Sequence, residues 1–337
     1  MFWAGIAISI IFVSWAVRGL RLEEVWGNLA GANYWWLVPG ILIYFFGVWA
    51  RTWRWQYMLR PFKLIPLIRL FPIVCIGYAG NNIYPARAGE VLRSYVLKRT
   101  DDIAMSTSLA TVFVERLFDG LVMIMFVFIS LPFTTSIPTK YKTWVISFSL
   151  LFIVALVVFL VIAAKPQLAR HFYDMVAKLI IPVRFQAKLG GIVDQFLEGL
   201  ASLRSWRDVL MIFVTSIVVW LAETMKYWFV MQAFDFDVSF FVLMLMNGIV
   251  NLFTTLPAAP GYIGTFDAPG VEILDLVGGV ARPVAFSYTI VLHAALWIPI
   301  TVLGLFYLYR QRLNWSDVQQ AADDDDTAET NSQEQQR

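Results

Sequence analysis

The sequence predicts an all-α integral membrane protein, about six transmembrane helices plus two re-entrant helical hairpins. Three observations predict it. The chain of 337 residues is 59% hydrophobic and only 15% charged, with a mean hydropathy of +0.67, so lipid rather than water is the solvent for most of it. Several apolar runs approach the roughly 20 residues that a helix needs to cross a bilayer core about 30 Å thick. Two further apolar stretches end in clusters of proline, glycine and charge that no lipid-facing helix accommodates.

Taken in order, the predicted crossings are 2–17, 35–50, 104–131, 143–164, 208–232 and 284–309. The first carries no basic residue ahead of it and no small-residue cleavage site behind it, which favours an anchor over a removable signal. The first two are short, and Trp35, Trp36, Trp49, Trp53, Trp55 and Tyr57 sit where interfacial aromatic anchors belong. Basic residues set the orientation. Segment 51–69 carries Arg51, Arg54, Arg60, Lys63 and Arg69, and segment 165–207 is also basic, whereas 233–239 carries only Asp235 and Asp237. The first two are therefore read as cytoplasmic and the third as external, with both termini cytoplasmic and Arg18 and Arg21 outside. The expected location is the cell (plasma) membrane, multi-pass.

Segment 165–207 is too polar to cross. Phe172, Val176, Leu179 and Ile180 recur at helical spacing, which predicts an amphipathic helix on the cytoplasmic membrane surface. Residues 1–312 form the predicted membrane domain, and the acidic stretch 313–337 is expected to be a disordered tail.

The two stretches that do not cross are about 70–99 and 238–277. Broken backbone at membrane depth survives only where protein or a water-filled cavity supplies its hydrogen bonds, and paired discontinuous helices point to a transport site. On the charge topology one hairpin opens from the cytoplasm and the other from outside, so that their tips meet. Pro85 and Gly89 shape the break in the first; Pro260, Gly261, Gly264 and Asp267 lie in the second, either as a hinge or gate or as a plain turn, with Thr265 a candidate cap for the half-helix that follows.

Candidate site residues follow from charge at depth. Arg87, Glu90 and Arg93 recur every third residue, leave one positive charge in excess and adjoin a helix N-terminus, an arrangement that suits a phosphate or else pins the hairpin at the interface. Asn81 and Asn82 either bond a headgroup or cap the half-helix. Glu115, Arg116 and Asp119 interrupt an apolar run as a site or as a helix-packing ion network. Glu223 and Lys226 are an internal pair or an ion relay, and His293 has a proton role or a packing role. The lone Cys75 and two separated histidines, His171 and His293, predict neither a disulfide nor a metal site, and the sequence lacks a GxxxxGK[ST] phosphate loop. No cofactor and no nucleic-acid partner are expected.

Three motifs carry a resemblance: GNNIYPARAGEVLRSYVLKR at 80–99, TVFVERLFDG at 111–120 and LPAAPGYIGTFDAPG at 256–270. With them the chain resembles the flippase-like membrane domain of the lysylphosphatidylglycerol synthase transmembrane family. The resemblance implies membrane helices with re-entrant helices and translocation of a phospholipid or related polar lipid between leaflets. Asp267 stands where the family tends to place Glu, and no soluble aminoacyl-transfer domain follows the last helix, so synthase activity is not implied. The expected function is thus a flippase-like transporter rather than an enzyme, with an anionic membrane lipid as partner. The alternatives are a membrane-embedded transferase using Glu115 or Asp119 as base, and a structural partner of a lipid-modifying enzyme; a homo-oligomer is also compatible.

Overall fold

The computed structural model describes residues 2–84, 87–134, 205–256 and 258–311, together with scattered positions between 150 and 203. The predicted crossing 143–164, the amphipathic segment 165–207, Pro85 and the tail 313–337 fall wholly or mostly outside the described residues. Among those described there are ten α-helices and no strand.

The chain opens with α1 (Phe2–Ala16) and a short α2 (Leu22–Gly31), which a 3-10 turn joins to α3 (Leu37–Leu59). Next come α4 (Leu67–Ile83), α5 (Ala88–Asp101) and α6 (Met105–Ser130). The second half holds α7 (Trp206–Met231), α8 (Phe240–Phe253), α9 (Asp267–Leu276) and α10 (Arg282–Arg310). Local chemistry sets several of these starts. The Ser205 and Ser239 hydroxyl oxygens accept from the amides three residues on, and proline follows the first residue of α10.

By length and composition, α7 and α10 can each cross a membrane, and α2 with α3, bent by 67° at their junction, would make a third span. α6 is as long as α7, but Glu115, Arg116 and Asp119 sit in its middle.

α3 differs from the sequence reading in a way that matters for the site. It does not end near residue 50 but runs on to Leu59, so Arg51 and Arg54 lie on a packed helix rather than in a cytoplasmic loop. Both are buried, Arg54 completely. Trp55 is likewise no interfacial anchor: its indole N–H donates to Thr111 Oγ1 at 2.9 Å in the interior. The positive-inside rule counts basic residues as solvated, and here the carboxylates of other helices solvate them instead.

α4 and α5 form one antiparallel pair, and α8 and α9 another. The first is unusually close because Gly77, Gly80 and Gly89 face each other: a Cβ on Gly80 would come within 2.6 Å of Gly89 Cα. Gly89 therefore serves close helix contact, which a hinge reading does not capture. Buried apolar residues mainly of α3–α6, with Ile212 and Ile300, make one core, those of α7–α10 a second, and a third cluster from Ala50, Val122, Phe126, Val219 and Met244 joins α3, α6, α7 and α8.

Candidate functional site

The charged residues of the interior collect where α3, α5, α6 and α7 meet. Glu115 of α6 is their hub. Its Oε2 receives Arg93 Nη2 at 2.7 Å, and its Oε1 lies 3.0 Å from both Arg54 Nη2 and Arg116 Nη2. One turn on, Asp119 faces Arg54 through both oxygens, at 2.5 and 3.3 Å, and accepts from the Trp220 indole at 2.8 Å. Arg116 closes the ring with Nε 3.3 Å from Glu90, which in turn lies 3.6 Å from Arg87.

A second group adjoins it across Trp220. Arg51 lies 4.7 Å over that ring, pairs with Glu223 at 3.4 Å and donates to the Tyr78 hydroxyl at 3.0 Å. Glu223 also binds Lys226, a fully buried ammonium held against the rings of Tyr44 and Tyr227. Cations over aromatic faces and carboxylates inside a helix bundle replace hydration that lipid cannot supply. Across both groups six cationic side chains, Arg51, Arg54, Arg87, Arg93, Arg116 and Lys226, meet four carboxylates, Glu90, Glu115, Asp119 and Glu223. The two groups together carry two positive charges in excess, one in each group.

Beside the first group opens a small cleft of about 10 Å³, room for about one water, lined by Tyr78, Asn81, Gly89, Glu90, Arg93 and Arg116 among others. Four polar atoms in its wall, Asn81 Oδ1, Glu90 Oε1, Arg93 Nε and Arg116 Nε, are buried without a hydrogen-bond partner, although Glu90 Oε1 and Arg116 Nε face each other as an ion pair at 3.3 Å. Arg116 in the wall is 31% exposed, and Arg87, paired with Glu90 of the wall, is 26% exposed.

The tips of the two helix pairs touch. Arg87, itself in the left-handed region at φ 56°, donates from Nη2 to the Thr254 carbonyl at 3.0 Å and lies 5.7 Å from the ring centre of Tyr262. Gly261 and Gly264 turn the second tip at φ 73° and 84°. Pro260 opens that turn, and Asp267 holds it, its Oδ2 accepting from the Gly264 amide at 2.8 Å. Thr265 does not cap α9, since its hydroxyl donates back to the Tyr262 carbonyl. His293 reaches the same turn from α10, with Nδ1 2.8 Å from Asp267 Oδ1 and Nε2 2.7 Å from the Gly261 carbonyl oxygen.

Of the residues the sequence singles out, Arg87, Glu90, Arg93, Asn81, Glu115, Arg116 and Asp119 thus share one network or its cleft. Asn82 points elsewhere, donating to Thr301 Oγ1 at 2.8 Å and so joining α4 to α10. Glu223 and Lys226 stand in the adjoining group, and Asp267 and His293 at the second tip. Sequence reasoning missed Arg51 and Arg54. Their signal is an imbalance: α6 presents two carboxylates to one arginine, and the nearest unassigned cations in an apolar setting are those of WARTWRW at 49–55.

Comparison with known proteins agrees with this geometry in extent. Residues 2–304 match the model of the lysylphosphatidylglycerol synthase TM region. A UPF0104 membrane protein of Methanocaldococcus jannaschii is 26% identical over 69% of this chain and 95% of its own length. Another, from Methanothermobacter thermautotrophicus, is 22% identical over 89% of this chain and 92% of its own. The glycosyltransferase AglD of Haloferax volcanii is 23% identical over 86% of this chain, a match that spans 45% of that protein. The matched segment contains both helix pairs, the ion network and the cleft, and the chain belongs to the lysylphosphatidylglycerol synthase transmembrane-region family.

Proposed function

We propose that this membrane protein is a flippase-like transporter that takes the anionic headgroup of a phospholipid or related polar lipid into the cleft and passes it between leaflets while the tails stay in lipid. One observation carries the reading: a cleft walled by Arg93 and Arg116 against Glu90 alone keeps one positive charge in excess and a buried arginine nitrogen without a hydrogen-bond partner, and on this reading it widens to admit the headgroup. Burying unpaired positive charge is costly, and an anion is the ligand that relieves it. Arg93 and Arg116 bind the phosphate, Asn81 orients it, and Arg87 with Glu90 guards the rim.

The same reading assigns the chain six crossings with both termini cytoplasmic, and makes α4–α5 and α8–α9 re-entrant pairs whose touching tips separate two access routes. No catalytic step is assigned. A transferase of the kind that AglD's name suggests for that protein needs a free base, and here Glu115 meets three guanidinium groups while Asp119 meets two and an indole.

The test is leaflet exchange of a fluorescent anionic phospholipid in proteoliposomes of the intact protein, beside Arg93→Ala and Arg87→Ala variants shown to be folded. Exchange by the intact protein and its loss in both variants is the expected result. No exchange of any lipid, anionic or neutral, would sink the transporter reading and return the weight to a transferase or to a structural partner of a lipid-modifying enzyme.

A further inference from the structure

The contacts of His293 fix how many protons it shares. Nε2 lies 2.7 Å from a backbone carbonyl, which only accepts, so Nε2 carries a hydrogen. Nδ1 lies 2.8 Å from Asp267 Oδ1, a separation that two facing lone pairs do not adopt, so a second hydrogen lies between them. It sits either on the ring beside an ionised Asp267 or on the carboxyl beside a neutral ring. In both states the pair holds one proton more than a neutral histidine beside a carboxylate, and its net charge is zero. Both side chains are nearly buried, 12% and 7% exposed.

We propose that Asp267 and His293 form a proton-binding site whose occupancy fastens the second tip to α10 and, through it, to the first. With the proton bound, His293 ties α9 and the Gly261 carbonyl to α10, while Asp267 also holds the Gly264 amide. With the proton gone, the one remaining ring hydrogen serves only one of the two contacts, so either the Asp267 carboxylate or the Gly261 carbonyl faces a lone pair and that contact opens. The turn so released includes Tyr262, which holds a positive φ of 60° and lies against Arg87, the residue that reaches across to Thr254. The proton binding stands by itself. Only its use, to couple headgroup passage to proton movement, rests on the transporter reading.

The groups facing the pair come from every side. α9 supplies Asp267, the turn supplies Tyr262, and the start of α5 supplies Arg87 with Glu90 behind it. α4 presents the Asn82 carbonyl to Trp297, one turn along from His293, and α1 presents Ser9 to the Ala259 amide. Deeper in the bundle Tyr288 donates to the Tyr227 carbonyl of α7, and nearer the ends of α9 and α10 Arg282 is paired with Glu272 and Asp275. Arg87 is the cation that lies against Tyr262 of the turn, and its contact with Glu90 offsets it.

The chain has two histidines, so a His171→Gln background leaves His293 as the single ring to follow. In that background, nitrogen NMR of the reconstituted protein should show the shared proton and its loss in one step as pH rises. Spin labels at Val91 on α5 and Ile263 in the turn, both exposed, should move apart in the same step. Asp267→Asn supplies its own amide hydrogen to Nδ1, so in that variant the distance should stay short at every pH. A distance indifferent to pH in the otherwise intact protein, an equal change in Asp267→Asn, or a neutral ring beside an ionised carboxylate while the contact persists would each overturn the proposal. None of these readouts depends on lipid movement, so they separate this inference from failure of the transporter reading.

Discussion

Arg54 and Asp119, from helices 65 residues apart in sequence, meet through both guanidinium ends and both carboxylate oxygens, with Arg54 wholly shielded from solvent. Removing one partner of such a pair leaves the other charged and buried, at a cost of about 3–5 kcal/mol, whereas removing both together can be close to neutral. Arg54→Met alone and Asp119→Leu alone should each lower the thermal unfolding temperature sharply in detergent, and the double variant should recover a large part of the loss. A double variant as unstable as the sum of the singles would mean that Arg54 acts mainly through Glu115 and Ser216, its other partners.

Arg116 stands at the rim with more freedom than Arg54. Arg116→Gln should destabilise less than Arg54→Met, because Arg54 and Arg93 remain to hold Glu115 and Arg54 remains to hold Asp119. Its effect should fall on the ligand: a short-chain anionic phospholipid should bind about tenfold more weakly, the equivalent of about 1.4 kcal/mol. Equal binding by calorimetry would place the headgroup away from this cleft.

Two glycine substitutions should have opposite signs. A Cβ at Gly89 would run into the Gly77 backbone and the Asn81 side chain, so Gly89→Ala should destabilise by about 1–3 kcal/mol through overpacking and should distort the cleft wall. Gly27, in the middle of α2, has open space around it, and Gly27→Ala should stabilise by up to about 1 kcal/mol through helix propensity. Paired thermal melts decide it.

The contact between the tips depends on a side chain from one pair and backbone from the other. Arg87→Ala removes the donor and should slow leaflet exchange, while Thr254→Ala retains the carbonyl acceptor and should exchange at the rate of the intact protein. Equal loss in both would assign the effect to the Thr254 hydroxyl, which donates to the Asn251 carbonyl.

Much of this was legible in the residues themselves, because proline and glycine mark broken helices by local rules. The break after Asn81 and Asn82 and the turn around Gly261 and Gly264 needed no knowledge of the rest of the chain. Glu115 and Asp119 were legible as carboxylates in want of a cation, but which cation was not. Their partner Arg54 lies on another helix, and its own neighbours, Trp53 and Trp55, look like an interfacial belt in one dimension. The same limit hid the third member of the Glu223–Lys226 group, since Arg51 is 172 residues from Glu223. Spacing along one helix predicts a pair; which helices cross beside it is a tertiary fact.

The uncancelled charge in the cleft has a kinetic side. On the proposed reading an anionic headgroup offsets that excess, so its capture runs downhill. The slow step of any cycle then becomes letting go. On that reading the residues that weaken the grip, rather than those that tighten it, set the pace, so a substitution at Arg116 that lowers affinity need not slow exchange, whereas Arg87, which ties the two tips together, is needed for it.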